Sequence, residues 1–140
     1  MVATLTEQLR RIVVVGLIAV VAFDVLAAVV SRRLSFWYPY GTIGSWLIYA
    51  TVGVLAGRAA SVRAAAATGA ALGFVEATLG WAISWLSGPR GVSLDMYAIG
   101  IVALVIVVVT LIGAGMGALG GLAGRRVSSR AAQRDRGKTR

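Results

Sequence analysis

Between Ala64 and Leu86 the chain runs for 23 residues with a single charge, Glu76. Small residues flank that acid at steps of three and four: Gly69, Gly73, then Glu76, then Gly80, Ser84 and Ser87. Such spacing places all of them on one face of a helix. The stretch predicts a membrane-spanning helix with a smooth glycine stripe and a carboxylate set into it.

The remaining sequence has the same character. Hydrophobic residues make up 59% and charged residues 14% of the 140 positions, with a mean hydropathy of +0.86. A water-soluble domain carries about a quarter charged residues, so this composition describes a chain dissolved in lipid rather than one with a large core. Further apolar runs cover Ile12 to Val30, Gly41 to Gly57 and the region from 97 to 123. The predicted fold is an all-α integral membrane protein, a bundle of four transmembrane helices spanning about 12–30, 41–57, 64–86 and 97–123. The bundle occupies residues 1–124, and 125–140 form a disordered basic tail. A cleaved signal peptide competes for the first run, with Leu26-Ala27-Ala28 as its cleavage region. Asp24 and the apolar residues that continue through Val30 favour a retained helix.

Local signals set the expected boundaries. Thr4 and Glu7 match a capping box that starts the first helix near Leu5. Phe36 to Gly41 reads as a loop with interfacial aromatics. Gly57 suits a helix C-cap, Ser61 an N-cap, and Ser87 to Gly91 a turn. Ser93 and Asp95 suit the start of the fourth helix.

Cations give the orientation. With four spans, Arg10 and Arg11, Arg58 and Arg63, and the seven tail cations share one side, eleven against three for Arg32, Arg33 and Arg90. Positive residues stay inside, so both termini are expected in the cytoplasm, the membrane being a bacterial cytoplasmic one. The tail cations Arg125, Arg126, Arg130, Arg134, Arg136, Lys138 and Arg140 would face anionic lipids of that leaflet. Nucleic acid is not an expected partner, because no aromatic residue interleaves these arginines.

Asp24 and Glu76 are the acids inside the apolar runs. A charge at the bilayer centre costs about 3 kcal/mol on insertion scales, so such residues face protein or water. Arg11 precedes Asp24 by 13 residues and Arg63 precedes Glu76 by 13, which places the two acids at one depth. Gly53 to Arg58 and Gly120 to Arg125 also resemble each other, as two duplicated helical hairpins would. Tyr49, Ser45 and Thr78 lie at a depth to partner the acids. Trp46 and Trp81 lie in the same outer half, and aromatic faces beside a carboxylate suit an organic cation; for Trp81 an interfacial aromatic belt is the favoured reading.

There is no cysteine and no histidine. No metal site of the usual ligands, no haem and no thiol chemistry is implied, and no cofactor is expected. No nucleophile elbow or phosphate loop is present, so an enzyme is not expected. In outline the chain is similar to the small multidrug-resistance transporters, with four spans and an acid in the first. The local sequence around Asp24 differs from theirs, and no family follows from it.

The fourth run carries Gly113, Gly117 and Gly121, with Gly120 and Gly124 beside them. Together with Gly69, Gly73 and Gly80 they form small-residue faces for close helix packing, within the chain, in a homodimer or against a membrane partner. Two functions stand. The first is a non-catalytic membrane component or accessory subunit that packs through these faces. The second is a small oligomeric proton- or cation-coupled carrier or channel subunit that uses Glu76 and Asp24.

Overall fold

In a computed structural model the chain is four helices. The structure describes the backbone of residues 2–34, 39–87 and 96–138, and side-chain surroundings for 6–27, 29–30, 43–79, 82 and 99–129. Helix α1 is Val2–Leu34, α2 Pro39–Ala59, α3 Val62–Ser87 and α4 Met96–Lys138. There is no strand among the described residues.

Every helix is longer than the apolar run that marks it, because the backbone hydrogen bonds continue through the polar residues that end the run. α1 starts at Val2, so Thr4 is inside the helix and not its cap. Glu7 instead bonds Arg10 and Arg11 one turn on, at 3.1 and 3.2 Å. α2 starts on Pro39, whose missing N–H and fixed φ suit the first position of a helix. Gly57 lies within α2 and does not cap it. Ser61 does cap α3: its Oγ accepts the Ala64 N–H at 3.1 Å. The expected loop residues 36–38, and the turn and cap residues 88–95, lie outside the described residues. The tail differs from expectation. α4 continues as helix to Lys138 where the composition predicts disorder. The alanines and arginines after Gly124 favour helix, and cations near a helix C-terminus complement its dipole.

Packing distances give the topology. Gly16 of α1 lies against Val52 of α2, and Phe23 covers Gly44, so α1 and α2 are antiparallel. Gly69 meets Gly113 while Gly73 meets Val109, so α3 and α4 are antiparallel. Gly53 meets Gly117 and Gly57 meets Gly121, so α2 and α4 run parallel. α2 and α3 lie at the centre. α4 packs on both from one side and α1 on both from the other, and the backbones of α1 and α4 do not come together among the described residues.

The contact of α4 with α2 and α3 is backbone against backbone. A Cβ on Gly53 would lie 2.5 Å from the Gly117 carbonyl oxygen, and one on Gly73 would lie 2.6 Å from that of Val109. No side chain fits in that space, which is why glycine recurs there. Gly69, Gly73, Gly113, Gly117 and Gly121, the residues expected to form packing faces, all lie in this interface. The environment of Gly80 lies outside the described side chains. The faces are thus filled from within the chain.

A shift of 67 residues, which carries Gly53 and Gly57 onto Gly120 and Gly124, also reproduces the α2–α4 contacts. Gly53 on Gly117 has its counterpart in Gly120 on Ala50, and Gly57 on Gly121 in Gly124 on Val54. The interface is two-fold about itself, as two like hairpins side by side would make it.

Apart from these glycines, the core is small. Val20, Tyr49, Val52 and Leu72 are buried together, with Ile12, Leu17, Ile48 and Met116 packed on them. Outside, large apolar residues such as Val15, Ile18, Leu47, Phe74, Leu104 and Leu111 are exposed. Among the described residues one helical segment, Ile99–Ser129, is long and apolar enough to cross a membrane; Ile43–Ala59 is a shorter apolar helix.

Candidate functional site: an interior carboxyl–tyrosine cluster

About three turns into α1 beyond Ile12 the apolar face changes to Asp24, whose side chain is buried with 6% of its surface exposed. On α2, Ser45 and Tyr49 are one turn apart on the buried face, and Tyr49 is 1% exposed. On α3 the residue one turn beyond buried Leu72 is Glu76, which is half-buried. These positions meet because α1 and α3 run in the same direction with α2 antiparallel between them.

The Tyr49 hydroxyl donates a hydrogen bond to Oε2 of Glu76. The carboxyls of Asp24 and Glu76 lie within electrostatic reach of each other, and both act on Tyr49. Three helices therefore each contribute one ionisable group to one interior cluster. No arginine or lysine pairs with either acid among the described residues, where the ion pairs are those of Glu7. No buried side-chain nitrogen or oxygen among them lacks a hydrogen-bond partner. Phe23 closes over Gly44 beside the cluster.

On the side towards Arg11 and Arg63, the cluster rests on the apolar core. Leu17 and Val20 of α1 pack there with Val52 and Leu72. The interior is thus polar at the level of Asp24 and apolar one turn away.

The family-model, curated-protein and solved-structure comparisons return no match to the chain.

Of the residues singled out in the sequence, Asp24, Tyr49 and Glu76 come together. Trp46 does not enclose them; it is 39% exposed on the outward side of α2. The surroundings of Trp81 lie outside the described side chains. Thr78 turns back on its own helix, donating to the Phe74 carbonyl at 2.8 Å. Thr68, buried, does the same to Ala64 at 2.9 Å. Arg125 and Arg126 are exposed; Arg130, Arg134, Arg136 and Lys138 continue along α4, and Arg140 is outside the described residues. No group of three or more metal-ligating side chains occurs among the described residues.

Phe23 beside the site, and the α2 glycines Gly53 and Gly57 in the α2–α4 interface, are structural residues that sequence reasoning assigned no such part. The signal for the glycines was there, since Gly53 and Gly57 share the four-residue spacing of Gly113, Gly117 and Gly121. Nothing in the sequence marks Phe23.

Proposed function

We propose that all four helices lie in a membrane and that the protein is a small proton- or cation-coupled membrane component, a carrier or channel subunit, whose exchange site is the Asp24–Tyr49–Glu76 cluster. The observation that carries this reading is the Tyr49 hydrogen bond to Glu76 beside buried Asp24. Two carboxyls in one partly buried cluster disfavour a double negative charge, so the pair is chemistry for holding a proton or a small cation. Packing alone needs neither acid.

The arrangement of polarity supports membrane embedding. Large aliphatic and aromatic side chains cover the outside while Asp24, Ser45 and Thr68 are inside. A soluble protein is arranged the other way, and an apolar exterior of this extent calls for lipid. Exposed Arg58 and Arg63 at the α2–α3 turn, with Arg125 and Arg126 on α4, support the reading of that end as the cytoplasmic, anionic-lipid side. The membrane would be the bacterial cytoplasmic one, with both termini inside.

A second reading, an accessory component with no flux of its own, is favoured by the way the glycine faces lock three helices together. Flux measurements in proteoliposomes separate the two. Dissipation of an imposed proton or cation gradient by the native protein, reduced about tenfold or more in Glu76→Gln and Asp24→Asn, supports the carrier. Equal leak from native, variant and empty vesicles supports the accessory component.

A further inference from the structure

We propose that α1 is the moving element of the bundle, and that the charge on the Asp24–Glu76 pair decides whether it is docked. The inference rests on the reading of that pair as an exchange site.

Three of the helices have no freedom to shift. α4 meets α2 and α3 through glycine backbones, where a displacement of even an ångström would break contacts along the whole interface. α1 is held differently. A Cβ on Gly16 would lie 3.1 to 3.2 Å from side chains of Val52 and Leu72, Phe23 lies over Gly44, and Val20 enters the core. These are side-chain contacts, which can slide.

The duplicated pattern shows why α1 stands apart. A shift of 52 residues carries Arg11 and Asp24 onto Arg63 and Glu76, and would carry Leu17 and Val21 onto Gly69 and Gly73. α3 approaches α4 through those two glycines. With leucine and valine in their places, α1 cannot approach α2 in the same way. The contact between α1 and α4 that would mirror the one between α2 and α3 is missing among the described residues.

The interface that holds α1 contains a carboxyl on each side. Facing Asp24 are Tyr49 from α2 and Glu76 from α3, while the α4 backbone does not come near that of α1 among the described residues. Tyr49 donates to Glu76, and no described cation neutralises either acid. With a proton or cation held between them, the carboxyls draw α1 onto α3. With both ionised and nothing held, they repel in a poorly screened interior. The apolar layer of Leu17 and Val20 on Val52 and Leu72 separates the cluster from the Arg11 and Arg63 end. Because the other half of that layer belongs to the locked helices, displacement of α1 is what would open it.

The chain has no cysteine, so paired spin labels can be placed at will. Exposed Val15→Cys with Leu119→Cys reports α1 against α4, and Leu55→Cys with Leu119→Cys reports α2 against α4. In nanodiscs without added metal cation, going from acidic to alkaline buffer should lengthen or broaden the α1–α4 distance by roughly 2–5 Å. The α2–α4 distance should stay fixed. Asp24→Asn and Glu76→Gln should each hold the short α1–α4 distance in both buffers. An α1–α4 distance that is the same in both buffers, or an equal change in both pairs, overturns the proposal. Proton uptake by the same samples distinguishes the two failures. Uptake lost in Glu76→Gln but with no movement of α1 leaves the exchange site standing and removes the gate; no difference in uptake removes both.

Discussion

Tyr49 of α2 donates a hydrogen bond from its hydroxyl to Glu76 of α3, across 27 residues of sequence and in the field of Asp24 on α1. This bond connects the two central helices at the level where the interior is polar. Its partners are a fully buried phenol and a half-buried carboxyl, so the phenol has no bulk water to turn to for a replacement.

Tyr49→Phe removes the donor and keeps the ring. The Glu76 carboxyl then loses a buried partner, and unfolding in detergent should be easier by about 1–3 kcal/mol. In combination with Glu76→Gln the two losses should be less than additive by roughly 0.5 kcal/mol or more, as for residues in one hydrogen bond. Thermal or denaturant unfolding of the two single variants and the double variant measures the coupling; strict additivity would mean that the bond contributes nothing.

Glycine-to-alanine changes on α4 should have opposite signs according to what lies opposite. Gly113 faces the backbone of Gly69, whereas a Cβ on Gly115 would have nothing within 4 Å. Gly113→Ala should destabilise by about 1–3 kcal/mol through overpacking. Gly115→Ala should be neutral or stabilise by roughly 0.5–1 kcal/mol, because alanine loses less backbone entropy. Melting temperatures of the two variants, side by side, provide the comparison.

Ser61→Ala removes the cap on the Ala64 N–H, with an expected cost of about 1 kcal/mol. Ser61→Asp should retain most of the stability, since aspartate caps equally well. If both variants melt alike, the short α2–α3 turn is held by something other than this cap.

Arg125 and Arg126 are exposed where α4 leaves its contact with α2. Replacing both by glutamine should weaken retention on anionic nanodiscs of the soluble 121–140 peptide by roughly 1 kcal/mol per cation at low salt. The difference should fade as salt rises. Equal retention of both peptides would place the lipid contact elsewhere.

Much of this architecture could be read before the structure was known. The 13-residue spacing from Arg11 to Asp24 and from Arg63 to Glu76 placed the acids at one depth, because helix rise is constant. Tyr49 could be named as a partner on the same ground. Depth says nothing about direction around the helix axis, and there the reading of Trp46 as a wall of the site differs from its exposed position. Helix ends differ for another reason. Apolar runs mark lipid thickness, and α1 and α4 continue as helix well past it. That glycine faces exist is plain from the sequence; that they are used up within the chain, and that α1 is left outside them, depends on tertiary contacts no local pattern carries.

The central claim is that the Asp24–Glu76 pair exchanges a proton or cation inside the bundle. The infrared band of protonated carboxyl groups, followed through a pH titration of the purified protein, tests it most directly. About one proton per chain shared by the pair should come off in a step that belongs to both acids. Asp24→Asn and Glu76→Gln should each abolish or displace that step, and added monovalent cation should compete with it. A titration identical in the native protein and in both variants would contradict the account.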